Sequence, residues 1–217
     1  MGVSFADLAY SSTAGVPDGK VIKEINPITV NIGKHCFSGV IDLPGSLRVV
    51  LCSDSYYSRS VMVCFRGTVN KRNWLTNITQ FAICDDYVYH MALGIVLLVF
   101  EQYKNKQIEV YGHSLGGGLT QFSLYGADDP RILGRGYNSA GLSNLTLSRM
   151  KDPQNNIDMM HFHLRNDVVF NIGHHIGETI QSNCYFDTGI SKEKILKVHS
   201  VEMLRTILRC QRYWQLT

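Results

Sequence analysis

Gly112-x-Ser114-x-Gly116 stands where an apolar run, Gln107 to Tyr111, meets the glycine-rich stretch Gly116-Gly117-Gly118. A serine set between such glycines sits on a sharp strand-to-helix turn, its hydroxyl raised above the sheet as a nucleophile needs. Glycines on either side let the strand and helix backbones come close. The Leu115 N–H and the positive end of the following helix then face the place where an oxyanion forms. The chemistry this predicts is acyl transfer from Ser114.

Such a serine needs a base, and the base needs an orienting acid. Asp167, in Arg165-Asn166-Asp167-Val168-Val169, directly follows a strand pattern that ends at Leu164. His199 lies in Lys197-Val198-His199-Ser200, ahead of a helical pattern. The order Ser114, Asp167, His199 is that of α/β hydrolases. On spacing alone His174 and His175, close to Asp167, rival His199 as base. His90 lies within an apolar helix and reads as packed or capped. His161 and His163 share one face of a strand, and one of them reads as buried structure. Asp128, Asp129 and Asp158 are less attractive acids, because they sit in a turn or before a strand. A second oxyanion donor is expected from Thr68, since Phe65-Arg66-Gly67-Thr68 ends an apolar strand in a tight turn. The alternative for Thr68 is a helix cap at an ordinary strand end. Acyl transfer uses two such donors, each contributing about 3 kcal/mol.

These groups must be carried by a sheet. Phe37 to Leu43 and Leu47 to Cys52 read as strands joined at Pro44-Gly45, a hairpin. Val61 to Phe65 is a continuous apolar run, as for a strand covered on both faces. Tyr87 to Lys104 reads as a helix whose stretch Tyr87 to Phe100 is buried; it is too short to cross a bilayer. Gln107 to Tyr111 is the nucleophile strand and Leu115 to Tyr125 its helix. Ile132 to Asn138 and Met159 to Leu164 are further strands. Val3 to Tyr10 reads as a short helix. A final helix within residues 192–209 is expected to start near His199 or Ser200. Strands alternating with helices predict an α/β fold with a mainly parallel central sheet flanked by helices. Its site should lie at the carboxyl ends of the strands.

Composition sets the outer bounds. The 217 residues are read as one domain, 1–217. They are 45% hydrophobic and 18% charged, as in a globular protein. A formal charge of +3 with scattered Lys and Arg excludes a nucleic-acid partner and leaves mild attraction to anionic lipid. Neither a signal peptide nor a transmembrane helix is read, so cytoplasmic residence is expected. Gly2 fails as a myristoylation site because position 6 is Ala. Six cysteines form no CxxC pair, so a zinc site is not expected and the thiols read as free and buried; acyl transfer from a serine needs no metal or organic cofactor. The sequons at Asn77 and Asn144 are read as accidental. The sequence sets no oligomeric state.

Together these segments resemble the class 3, fungal-type lipase family of the α/β-hydrolase superfamily. Phe65-Arg66-Gly67-Thr68 followed by Arg72-Asn73-Trp74-Leu75 is similar to the family's oxyanion segment. Gly112-His113-Ser114-Leu115-Gly116-Gly117 is similar to its nucleophile motif, and Asp167-Val168-Val169 to its acid segment. Tyr137-Asn138-Ser139-Ala140-Gly141-Leu142 and His199-Ser200-Val201-Glu202 resemble its smaller members, in which the catalytic histidine opens the last helix. The resemblance spans roughly residues 35–205. It implies a triad of Ser114, Asp167 and His199, with Thr68 and Leu115 as the oxyanion hole. The chain departs from the family at Asn77, where many members have Asp, and at His90-Met91-Ala92-Leu93 in place of His-x-Gly-Phe. Only the stretch from Ile78 to Tyr89 separates the oxyanion segment from His90, which implies a minimal lid.

The implied activity is hydrolysis of lipid esters, of triacylglycerol lipase or phospholipase A1 type, with the substrate met at a membrane or lipid surface. Phe81, Ile83, Tyr87 and His113 are the candidate substrate contacts; the alternative for the apolar ones is cover for the sheet. A carboxylesterase for short soluble esters, a non-catalytic lipid- or partner-binding member, and a peptidase or thioesterase are the competing functions.

Overall fold

The computed structural model describes residues 30–32, 35–42, 47–53, 59–68, 86–152, 157–182, 192–200, 202–204 and 214–216. They form one nine-stranded sheet in which the strands follow chain order. The strands are β1 (Val30–Ile32), β2 (His35–Asp42), β3 (Arg48–Ser53), β4 (Ser60–Phe65), β5 (Gln107–His113), β6 (Ile132–Tyr137), β7 (Met159–Leu164), β8 (Glu178–Ser182) and β9 (Trp214–Leu216). The helices are α1 (Asp86–Gln102), α2 (Leu115–Ala127), α3 (Asn144–Arg149) and α4 (Lys192–His199).

The centre of the sheet, β4 to β8, is parallel. Its edges are antiparallel: β1 to β4 on one side and β9 on the other. Parallel strands are covered on both faces, and β4 obeys, with Val61 to Phe65 all buried. The expected hairpin is present as β2 and β3, paired from Cys36↔Ser53 to Asp42↔Arg48. In parallel register, Phe65 of β4 lies beside Gly112 of β5, and His113 beside Tyr137 of β6. The carboxyl ends of three neighbouring strands therefore meet at one level, where the site belongs.

The core joins Val49, Val63, Phe65 and Val110 of the sheet to Leu119 and Phe122 of α2 and Ala92, Val96 and Val99 of α1. Helix α2 is buried from Leu115 through Leu124. Helix α1 corrects one expectation, because it is not buried all round. Tyr87, Leu97 and Leu98 are exposed, since only one side of a helix can face the sheet and α2. His90, expected to be packed or capped, is largely exposed, with its ring packed edge-on against Phe122. Cys52 and Cys64 are free and buried, as expected. The expected helix at Val3 to Tyr10 lies outside the described residues.

Candidate active site

One residue, Ser114, separates β5 from α2. Its backbone adopts φ 60° and ψ −126°, a conformation that costs a non-glycine residue about 1–3 kcal/mol. Main-chain bonds hold it there. Ser114 N donates to Tyr137 O at 3.0 Å, and its carbonyl accepts from Gly117 N at 3.0 Å and Ala140 N at 2.9 Å. The glycines are required by contact. A Cβ at Gly112 would lie 2.0 Å from Gly116 O, and one at Gly116 would lie 2.3 Å from Phe65 O. Ser114 is buried, and among the described residues its Oγ has no hydrogen-bond partner.

The contact of Gly116 with Phe65 O sets the first turn of α2 against the end of β4. Thr68 follows that strand end, with its Oγ1 buried and, among the described residues, without a hydrogen-bond partner. Leu115 is the first residue of α2. Thr68 and Leu115, the two expected oxyanion donors, thus follow the ends of the neighbouring strands β4 and β5. The segment with Trp74 and Asn77 lies outside the described residues, as do Phe81 and Ile83. Tyr87 is described, and stands 62% exposed at the start of α1.

Asp167 lies in the turn after β7 and is buried. Its Oδ1 accepts from Val169 N and Phe170 N, each at 2.9 Å. Its Oδ2 lies 2.7 Å from His199 Nδ1. An ionised carboxylate only accepts, so Nδ1 is the donor and the neutral imidazole keeps its lone pair on Nε2. His199 is buried at the last residue of α4. A helical segment was expected to start at this point, and Ser200 does cap one: its Oγ accepts from Met203 N at 3.2 Å. The stretch before His199, however, is helical too, so His199 sits between two helical segments.

The rival histidines are engaged elsewhere. His175 Nε2 donates to Phe170 O at 2.7 Å, and its ring stacks on Phe170 at 3.9 Å. His174 is exposed and exchanges backbone bonds with Leu142. His163 stacks on the same Phe170 ring at 3.6 Å. His161 Nε2 donates to Ile176 O at 3.0 Å, and its Nδ1 lies 3.1 Å from Ser139 Oγ. Both strand histidines are buried, where one was expected to be. Burial, and then the neighbouring His175, pushes His161 down to about 3. Burial pushes His163 down to about 4. The competing acids are also accounted for: Asp129 pairs with Arg131, Asp158 pairs with Arg135, and Asp128 ends α2.

His113, a candidate substrate contact, is turned toward α4. Its Nε2 donates to His199 O at 2.6 Å, and the two rings are 4.7 Å apart. Burial, followed by the nearby His199, holds its pKa well below the ordinary value, so it stays neutral. One buried residue, Asn138, was not singled out from the sequence as part of the site. It has φ 42°, donates through Nδ2 to Val198 O at 3.3 Å and accepts at Oδ1 from Leu164 N at 2.9 Å. Asn is among the few non-glycine residues at ease in this backbone region, which was the available signal.

A family model described as phospholipase-like, a Tle-like phospholipase domain, matches residues 5–201. The chain is 29% identical over 92 residues to an extracellular phospholipase A1 of Serratia liquefaciens. That match covers 42% of this chain and 28% of the relative. Among solved structures it resembles a Rhizomucor miehei lipase–propeptide complex, with a TM-score of 0.55 and 16% identity over 91% of this chain and 76% of the other. It also resembles a mono- and diacylglycerol lipase of Aspergillus oryzae, with a TM-score of 0.54 and 15% identity over 88% and 81%. The Lip2 lipase of Yarrowia lipolytica aligns with a TM-score of 0.51 and 19% identity over 83% and 77%. The shared feature is the α/β-hydrolase fold of fungal lipases.

Proposed function

The chain belongs to the phospholipase-like family defined by the Tle-like phospholipase domain, and from that premise we propose that it hydrolyses lipid carboxylic esters through Ser114, Asp167 and His199. The observation that carries this reading is the buried 2.7 Å bond between Asp167 and His199, which leaves Nε2 as the basic nitrogen. His199 Nε2 takes the proton of Ser114 Oγ as the oxygen attacks the ester carbonyl. The backbone N–H groups of Leu115 and Thr68 receive the oxyanion. His199 then protonates the leaving alcohol, and the acyl group remains on Ser114. Water gives its proton to the same imidazole and releases the acid. Throughout, Asp167 keeps Nδ1 as donor and stabilises the imidazolium.

The proposed substrate is a glycerolipid or phospholipid with an acyl ester to be cut, met at a lipid surface. Family membership and the exposed aromatic side chain of Tyr87 at the start of α1 support it. p-Nitrophenyl esters from acetate to palmitate, assayed with wild type and Ser114→Ala, test the reading. Serine-dependent turnover that favours long chains supports a lipase or phospholipase, and positional assays on phospholipid then separate the two. A preference for acetate makes it a carboxylesterase. Turnover that survives Ser114→Ala overturns the mechanism.

A further inference from the structure

A helix leaves its last carbonyls without partners inside the helix. At the end of α4 each of the last three is satisfied by a different neighbour. Lys197 O accepts from Ser200, through N at 3.2 Å and Oγ at 2.8 Å. Val198 O accepts from Asn138 Nδ2 at 3.3 Å, and His199 O from His113 Nε2 at 2.6 Å. The last two donors come from other elements, 60 and 86 residues away in the chain. His113 ends β5, next to Ser114, and Asn138 directly follows β6. Asn138 also reaches β7, where its Oδ1 accepts from the N–H of Leu164, the strand end that leads into the Asp167 turn. Asn138 N itself donates to Phe162 O at 2.9 Å.

We propose that Asn138 and His113 are positioning residues for the general base, capping the end of α4 so that His199 stays registered against both Asp167 and Ser114. The inference rests on the proposed Ser114–Asp167–His199 mechanism. Two strand ends and one helix supply the three reacting groups, and a rigid link between them is needed because misplacement by about 1 Å costs about a hundredfold in rate. Asn138 supplies that link twice over, donor to the base-bearing helix and acceptor from the acid-bearing strand. The amide orientation is dictated by its partners, since only Nδ2 can donate to a carbonyl and only Oδ1 can accept from an N–H. His113 ties the same helix end to the residue preceding the nucleophile. Burial keeps this histidine neutral, so it adds no second cation beside the base.

The test compares Asn138→Gly, Asn138→Asp, His113→Gln and His113→Ala in the full chain. Glycine suits the left-handed backbone at 138 and removes only the side chain. Aspartate keeps the acceptor for Leu164 and loses the donor to Val198. Glutamine at 113 can still donate to His199 O. Readouts are kcat and KM on a p-nitrophenyl ester, the pH profile, thermal unfolding, and the low-field proton resonance of His199 Nδ1. Asn138→Gly and Asn138→Asp are expected to lower kcat by about 10- to 100-fold with KM within about two-fold. The acid limb of the profile should move and the low-field resonance should shift or broaden. His113→Ala should lose about tenfold, with most of it recovered in His113→Gln. Wild-type kcat, profile and resonance in Asn138→Gly overturn the proposal, as does a loss that only tracks the folded fraction. If Asn138→Gly does not fold, the His113 pair decides by the same criteria. Hydrolysis that persists in Ser114→Ala refutes the mechanism instead, while the resonance still reports whether the caps hold His199.

Discussion

His199 and His163 are both buried, and both lie close to the turn that carries Asp167. One has a carboxylate oxygen 2.7 Å from Nδ1; the other has the flat face of Phe170 at 3.6 Å. His163, with His161 and His175 around it, is held neutral by loss of water, and its pKa lies below the ordinary range. Stacking can fill space and stiffen the turn, but it supplies no opposite charge to hold an imidazolium. A buried carboxylate does. The two regions show that burial alone makes a histidine inert, and that the partner on the far nitrogen makes one a candidate base.

The strongest way to break this contrast is at the pair itself. Ser114→Ala is expected to lower kcat by about 10⁴-fold or more, read in a p-nitrophenyl ester assay. Asp167→Asn should preserve the fold and approach the same loss, about 10³- to 10⁴-fold, because an amide favours the wrong imidazole tautomer. Equal activity of wild type and Asp167→Asn would remove the reason for treating His199 differently from His163. A structural counterpart lies at the start of α2. Gly116→Ala puts a Cβ 2.3 Å from Phe65 O, and should cost about 3 kcal/mol or more in chemical denaturation.

Smaller effects sharpen the histidine side. His163→Phe keeps a ring against Phe170 and should leave kcat within about two-fold. It should change the response to acid instead. His161 and His163 have folded values of about 3 and about 4, below the unfolded value near 6.5. The unfolded chain therefore binds protons that the folded chain does not. Their contribution is unopposed above about pH 6.5, and stability is lost as the pH falls from there toward 4, by about 1.4 kcal/mol per pH unit for each histidine. Urea denaturation from pH 7 to pH 4 should show this slope in wild type and a shallower one in His163→Phe. Identical slopes would mean that these rings are not kept neutral by the fold.

Much of this was legible in the sequence, because the signals are local. The apolar run before Ser114, the glycines after it and the strand ending at Leu164 each declare themselves within a few residues. The elbow geometry at Ser114 and the position of Asp167 after β7 follow from them. What escaped is non-local or short. Asn138 has partners 26 and 60 residues away, and no pattern in Tyr137-Asn138-Ser139 points to either. Spacing left His174 and His175 open beside His199; the structure joins Asp167 to His199 across a separation of 32 residues. Helix α3 has only six residues and β9 only three, too few for a period to show. The exposed side of α1 was hidden because Leu97 and Leu98 look the same in a sequence whether they are covered or not.

The positive φ of Ser114 has one more consequence. The sheet and α2 impose that backbone through main-chain bonds that no side chain at 114 supplies or removes. At this position the fold and the reaction therefore prefer different residues. Ser114→Gly should relax the turn and raise the unfolding free energy by about 1 kcal/mol, measurable by denaturant titration, while abolishing turnover. On this expectation the wild-type chain is less stable than a single substitution would make it, and the deficit lies in the backbone of the residue whose hydroxyl is proposed to attack the ester.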